Sequence, residues 1–166
     1  MIATESHPPI VKSLVWANES QTQAFAESLA HGIARMPPDT SLVLELHGDL
    51  GAGKTTFVRH LLHALGVTGR IKSPTYAVVE PYHLDSPVER DVWHFDFYRF
   101  NDPDEWEDAG FRDIFASPGL KLIEWPEKAG PHLPAPDLDL RIDSALDERR
   151  HVQIRASGVL GQALIA

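Results

Sequence analysis

The residues best suited to chemistry stand together at Gly48-Asp-Leu-Gly-Ala-Gly-Lys54-Thr55, which fits the pattern G-x-x-x-x-G-K-[ST]. Glycines there let successive backbone N–H groups close around phosphate oxygens, and the helix that follows adds the partial positive charge of its N-terminus. Lys54 is placed to reach the β and γ oxygens of a nucleoside triphosphate, and Thr55 to give its hydroxyl to Mg²⁺. Asp49, Leu50, Gly51, Ala52, Gly53 and Thr56 complete the expected phosphate-binding set.

Mg²⁺ takes near-octahedral oxygen coordination and, at such loops, usually a carboxylate from a neighbouring strand, directly or through water. Two strand ends offer one: Asp96 closes Val92-Trp-His-Phe95, and Glu124 closes Leu120-Lys-Leu-Ile123. Either could ligate the metal or orient an attacking water, and the sequence leaves that choice open. Buried together beside a triphosphate, the two would match the charge of a dication. Thr75, in Ser73-Pro-Thr-Tyr76, lies where nucleotide switches keep a hydroxyl that senses the γ-phosphate, although the same residues also read as a plain proline turn. Arg99 is either a stabiliser of transferred charge or an ion-pair partner of the acidic stretch 102–108, itself most simply a solvated face. His60 and His63 have metal-like spacing but no evident third ligand, and they read as exposed helix residues. Guanine readers of this class commonly use Asn-Lys-x-Asp; the only asparagines, Asn18 and Asn101, stand in no such context, which favours ATP.

The surrounding elements must hold these groups in place. Residues 41–47 read as a nearly all-apolar strand of the buried parallel kind, feeding the glycine loop. From Lys54 to Leu65 the apolar Phe57, Val58, Leu61, Leu62 and Leu65 recur at helical spacing, and Gly66 supplies the stop. Residues 10–16 read as a strand, followed by a helix with Phe25, Leu29 and Ile33 on one face, opened by a capping box of Ser20 and Gln23. Further strands are expected at 76–80, 91–97 and 120–124, the first two joined by a loop from Pro81 to Arg90. Asp102, Pro103 and Glu105 start a short acidic helix, residues 138–142 and 151–156 alternate as a hairpin, and a short segment around 160–165 ends the chain.

At 166 residues the chain fits one domain, a single phosphate-loop nucleotide-binding unit of α/β class with residues 1–10 as a flexible start. The absence of cysteine excludes disulfides, thiolate metal sites and thiol nucleophiles. No apolar run reaches membrane-spanning length, and the first ten residues lack the basic start and apolar stretch of an export signal, so a cytoplasmic protein without membrane contact is expected. A net charge of −9 opposes broad contact with a polyanion, so any RNA should be held mainly by another protein.

Several stretches together resemble one family, the TsaE proteins of bacterial tRNA threonylcarbamoyladenosine biosynthesis. They are His47-Gly-Asp-Leu-Gly-Ala-Gly-Lys-Thr-Thr-Phe57, Ser73-Pro-Thr-Tyr76 with Val79-Glu-Pro-Tyr82, His94-Phe-Asp-Phe-Tyr-Arg99 and Glu124-Trp-Pro-Glu-Lys128, in matching order over roughly residues 18–156. The glycine loop alone is shared by many families; its combination with the other stretches is specific. The resemblance implies a three-layer P-loop NTPase-like fold with a mixed sheet, ATP and Mg²⁺ as ligands and weak intrinsic hydrolysis. It also implies work alongside TsaD and TsaB, which handle the chemistry on tRNA, so that tRNA is met only through the complex. Carried over by motif, Lys54 and Thr55 hold phosphate and Mg²⁺, Asp96 and Glu124 serve the metal or the water, Thr75 belongs to a switch, and Trp125 lies near the nucleotide. Trp93 and Phe97 stand where other apolar residues are expected. A P-loop kinase and a non-hydrolysing nucleotide-gated adaptor are the competing readings of the residues.

Overall fold

A computed structural model describes residues 8–74 and 78–166, which leaves Thr75 and the start of the strand expected at 76–80 outside the description. In chain order the elements are β1 (Ile10–Trp16), α1 (Glu19–Ala34), β2 (Ser41–His47), α2 (Lys54–Ala64), β3 (Val79–Leu84), β4 (Arg90–Asp96), α3 (Glu105–Asp108), α4 (Arg112–Ala116), β5 (Gly119–Glu124), β6 (Leu138–Ser144), β7 (Arg150–Ala156) and α5 (Gly158–Ile165). The strands form one sheet in the order β1-β7-β6-β2-β5-β4-β3. β2 runs parallel to both β5 and β6, and β5 parallel to β4, whereas the outer pairs are antiparallel. The sheet is therefore mixed, as expected for this P-loop NTPase-like α/β fold.

Strand parity sorts side chains between two cores. Leu42, Leu44 and Leu46 of β2 and Leu120 and Leu122 of β5 face the same side as Phe57, Val58, Leu61 and Leu62 of α2 and Leu29 and Ile33 of α1. Val43 and Ile123, of opposite parity, join Phe95, Phe97, Phe100, Trp106 and Phe111 under α3 and α4. Each fully buried Leu or Phe contributes about 2 kcal/mol from area removed from water. This two-sided burial explains why β2 is a nearly continuous apolar run. No helix among the described residues is long and apolar enough to cross a membrane.

Local signals placed some elements imperfectly. The cap of α1 is Asn18, whose side chain accepts from the Gln21 N–H at 3.1 Å while Gln21 accepts in turn from the Ala17 N–H; Ser20 and Gln23 lie inside the helix. The Asn18 box competes with the one two residues later and wins by satisfying the first orphan donors. Pro81 does not end its strand: β3 continues to Leu84, with Pro81 opposite Trp93. It is the sheet's edge, where a missing N–H leaves no ladder bond unmade. β4 spans one residue earlier than expected, and α4 was not anticipated. The acidic helix is the single turn of α3, preceded by a turn in which the Glu105 carboxylate accepts from the N–H groups of Asn101 and Asp102. The C-terminal segment is α5, packed on α1, with Gly161 so close to the Asp137 carbonyl that a Cβ there would lie 2.0 Å from its oxygen.

Arg90, at the start of β4, closes the C-terminal end of α1. Its guanidinium donates to the carbonyls of Ile33, Met36 and Pro37 at 3.3, 2.8 and 3.3 Å, and it is only 5 % exposed. Ile33 lies in the last turn of α1, so that contact satisfies an orphan acceptor and places charge at the negative end of the helix dipole, while Met36 and Pro37 belong to the chain just beyond it. Arg90→Ala is expected to lower unfolding free energy by about 3 kcal/mol, since several buried charge-assisted bonds are lost at once. Urea denaturation measures it, and a change below about 1 kcal/mol would mean that water replaces the guanidinium without loss.

Candidate functional site

The glycine loop leaves β2 and delivers its chain to the N-terminus of α2. Gly48 has φ of 149° and lies so close to β6 that a Cβ would stand 2.4 Å from the Ile142 carbonyl oxygen; only glycine fits. Gly53, at φ 110°, is the N-cap of α2 and leaves the first N–H groups of the helix unopposed by any side chain. That is the arrangement of a helix-terminal anion site.

Leu50, Gly51, Gly53, Lys54, Thr55 and Thr56 line a cleft of about 240 Å³, with Asp96, Tyr98, Glu124, Trp125 and Arg150 on its other side. Two expected phosphate-loop residues do not line it. Asp49 is exposed on the loop's outer edge, and Ala52 is buried in the core with its N–H bonded to the Asp49 carbonyl. Lys54 is buried at 4 % exposure, donates to the Gly48 carbonyl and lies 3.4 Å from the centroid of the Trp125 ring. Burial lowers its pKa, against the attraction of Glu124, Glu127, Asp96 and Asp49. A desolvated ammonium of this kind gains from any anion that enters beside it.

Asp96 and Glu124 are register partners on adjacent parallel strands, β4 and β5, and share the parity that faces α2. Glu124 is buried: its Oε1 accepts from the Thr55 hydroxyl at 2.8 Å, and its Oε2 lies 2.6 Å from His94 Nε2. Asp96 accepts from the Tyr98 N–H at 3.0 Å, and burial, with Glu124 adding to it, raises its pKa above the ordinary carboxylate value. Thr55, Asp96 and Glu124 thus gather hydroxyl and carboxylate oxygens at one place, a hard-oxygen donor set of the kind Mg²⁺ selects. His94, fully buried and two residues before Asp96, had no role assigned from sequence; its even parity with Asp96 was the available signal.

Val78 and Trp125 are the non-glycine residues at positive φ among the described residues, at 66° and 55°. Val78 accepts the Asp96 N–H at 2.8 Å, and Trp125 directly follows Glu124, so backbone strain flanks both carboxylates. Such strain persists only where surrounding contacts impose it, and it gathers at functional sites. The Trp125 ring also meets Tyr98, with centroids 5.0 Å apart.

A second cleft of about 330 Å³, lined by Asn18, Glu19, Thr22, Gly53, Thr56, Glu148 and Arg150, adjoins the first through Gly53, Thr56 and Arg150. Sequence reading missed Arg150, which arrives from β7, nearly a hundred residues after the loop. Arg99 is exposed; within the acidic segment Glu107 pairs with Arg112 at 2.6 Å, and His132 lies 3.3 Å from both Asp104 and Glu107. His60 and His63 do not converge; the first bonds Glu19 at 3.0 Å and the second the Val67 carbonyl at 3.1 Å.

Comparison with known proteins identifies the family. Residues 16–152 match the family model described as threonylcarbamoyl adenosine biosynthesis protein TsaE. The tRNA threonylcarbamoyladenosine biosynthesis protein TsaE of Haemophilus influenzae is 38 % identical over 142 residues, covering 86 % of this chain and 87 % of that one. Its namesake from Bacillus subtilis is 37 % identical over 150 residues, 89 % of each chain. The crystal structure of Bacillus subtilis YdiB superposes with a TM-score of 0.74 at 29 % identity, covering 96 % of this chain and 95 % of that one. With its glycine loop, paired strand-end carboxylates and sheet order, the chain belongs to the TsaE family of tRNA threonylcarbamoyladenosine biosynthesis proteins.

Proposed function

We propose that this protein binds ATP with Mg²⁺ and hydrolyses it weakly, as the nucleotide-driven subunit of threonylcarbamoyladenosine synthesis in the cytoplasm, cycling with a TsaB–TsaD complex that holds the tRNA. The observation that carries this reading is the placement of Asp96 and Glu124 side by side beneath Thr55, at the mouth of the glycine loop. The loop and the N-terminus of α2 would bind the phosphates, Lys54 would neutralise the β and γ oxygens, and Thr55 with one or both carboxylates would hold Mg²⁺. The metal would supply charge neutralisation at the γ-phosphate. The other carboxylate would orient the attacking water, and Trp125 and Tyr98 would exclude bulk solvent from the reacting phosphate. Thr75 would sense the γ-phosphate as part of a switch.

The adjoining cleft suits the nucleobase and ribose, because it continues from Thr56 and Gly53 and offers the polar groups of Asn18, Glu19 and Arg150. Arg150→Ala is expected to weaken ATP binding about tenfold, the equivalent of one charge-assisted contact. Calorimetric titration measures it, and an unchanged Kd would place the base elsewhere.

A net charge of −9 also fits a protein that reaches tRNA through partners. Hydrolysis by the purified chain, alone and with TsaB and TsaD, tests the proposal. Activation by the partners, together with loss of threonylcarbamoyladenosine from tRNA when the gene is deleted, is the expected result. Normal tRNA modification in the deletion strain would refute the role, and label transfer from ATP to an acceptor other than water would indicate a kinase.

A further inference from the structure

On the face of the sheet turned away from α2, a second group of ligand-type side chains has no part in the proposed ATP chemistry. Glu45 and His47 of β2 share the parity of Val43, and Asp139 of β6 is the register partner of Glu45, so the three stand on one face. His47 Nε2 lies 3.4 Å from a Glu45 oxygen and 3.2 Å from an Asp139 oxygen, and all three ligand atoms fall within 4.8 Å of one another. On the other side of the ring, Nδ1 lies 3.6 Å from the Glu127 carboxylate.

Two features of this cluster suit a metal ion. The first is that Nε2 is inaccessible to solvent yet has no hydrogen-bond partner, although two carboxylates flank it. The second is spacing: ligand atoms about 2.0 Å from a tetrahedral zinc ion stand about 3.3 Å apart, close to the two distances from Nε2. We infer that Glu45, His47 and Asp139 form a binding site for one divalent transition-metal ion of the zinc class. Glu127, whose carboxylate lies 3.6 Å from Nδ1, then stands as an outer carboxylate beside the ring.

The donor set speaks for the class of ion. An imidazole nitrogen with two carboxylates suits Zn²⁺ or Co²⁺, whereas Mg²⁺ prefers oxygen alone. Glu45 is about nine-tenths buried, so its carboxylate needs a positive partner, which a bound dication or a protonated His47 supplies. Arg141 and Arg155 are register neighbours of His47 and Asp139, but both are exposed, and no ion pair joins them to the cluster among the described residues. Three protein ligands leave a position for water on the half-exposed Asp139 side. His47 immediately precedes Gly48, and Glu127 sits in the turn Pro126–Lys128 that follows Trp125. An ion here would clamp the entry of the glycine loop to β6 and to the Trp125 turn.

The test uses full-length, nucleotide-free protein stripped with chelator, in millimolar Mg²⁺ so that the oxygen site beside Thr55 is kept from the probe. Zn²⁺ is titrated calorimetrically, and Co²⁺ serves as an optical probe of coordination. One equivalent should bind, with the intense visible bands of a low-coordinate Co²⁺ ion. His47→Gln and Asp139→Asn should each weaken binding at least tenfold. Asp139 is partly exposed, so its variant should fold even if the His47 variant does not, and circular dichroism checks both. His83→Gln, which alters the exposed cluster of His83 with Asp85, Glu89 and Asp91, should leave the affinity unchanged. Absence of stoichiometric binding, or binding that survives both cluster variants, would overturn the inference and leave His47 as a charge-compensating imidazolium. Loss on His83→Gln with wild-type affinity in the cluster variants would overturn it equally, by moving the ion to the exposed group.

Discussion

Lys54→Ala should bind MgATP at least a hundredfold more weakly than the unaltered protein, with no measurable turnover, while its nucleotide-free stability stays within about 0.5 kcal/mol of the original. The two halves of this expectation come from one environment. Lys54 is buried in the cleft wall and its pKa is depressed by that burial, so the folded chain already works against its charge. Its removal therefore relieves a desolvation cost and offsets the loss of contacts with the Gly48 carbonyl and the Trp125 ring. With a triphosphate present the balance reverses, because a pair between phosphate and a buried ammonium is worth several kcal/mol to the bound state. Calorimetric titration and thermal unfolding on the same sample would separate the effects. A variant that lost stability but kept affinity would show that Lys54 is a structural lysine and that the phosphates lie elsewhere.

Glu124→Gln is expected to divide binding from turnover. Gln fills the same volume and can still accept from Thr55, so ATP affinity should fall by no more than a few fold. The carboxylate charge is lost, however, and hydrolysis in the presence of TsaB and TsaD should drop by about 10² to 10³, the scale seen when one preorganised electrostatic contact is removed from a transition state. The same substitution should lower the pKa of Asp96, since Glu124 is one of the charges that raise it. Single-turnover hydrolysis alongside direct titration reads both quantities. Full turnover would leave Asp96 as the only carboxylate with work to do, and equal losses of binding and rate would make Glu124 chiefly a metal ligand.

The sequence by itself determined the glycine loop, the strand before it and the helix after it, because each has a local cause. Only glycine tolerates the backbone of 48 and 53, the apolar period of α2 is fixed by its turn, and β2 is apolar on both faces because both are covered. It likewise marked Asp96 and Glu124 as strand-end carboxylates, and Trp125 as their neighbour. What it misplaced were boundaries set by competition or by position in the sheet. Asn18 and Ser20 offered rival caps, and Pro81 looked like a break because nothing local says that β3 is an edge.

Only the tertiary structure decided which distant residues meet. β5 inserts between β2 and β4, and that order alone makes Asp96 and Glu124 register partners and brings His94 to the Glu124 carboxylate. The return of β6 and β7 to the other side of β2 carries Arg150 to the cleft and Asp139 to Glu45 and His47. Spacing along a chain encodes periodicity, and periodicity tells which face a side chain takes. It does not encode which strand lies alongside, because that choice is made by burying whole faces against one another, and the energy of that burial is spread over every residue of the core.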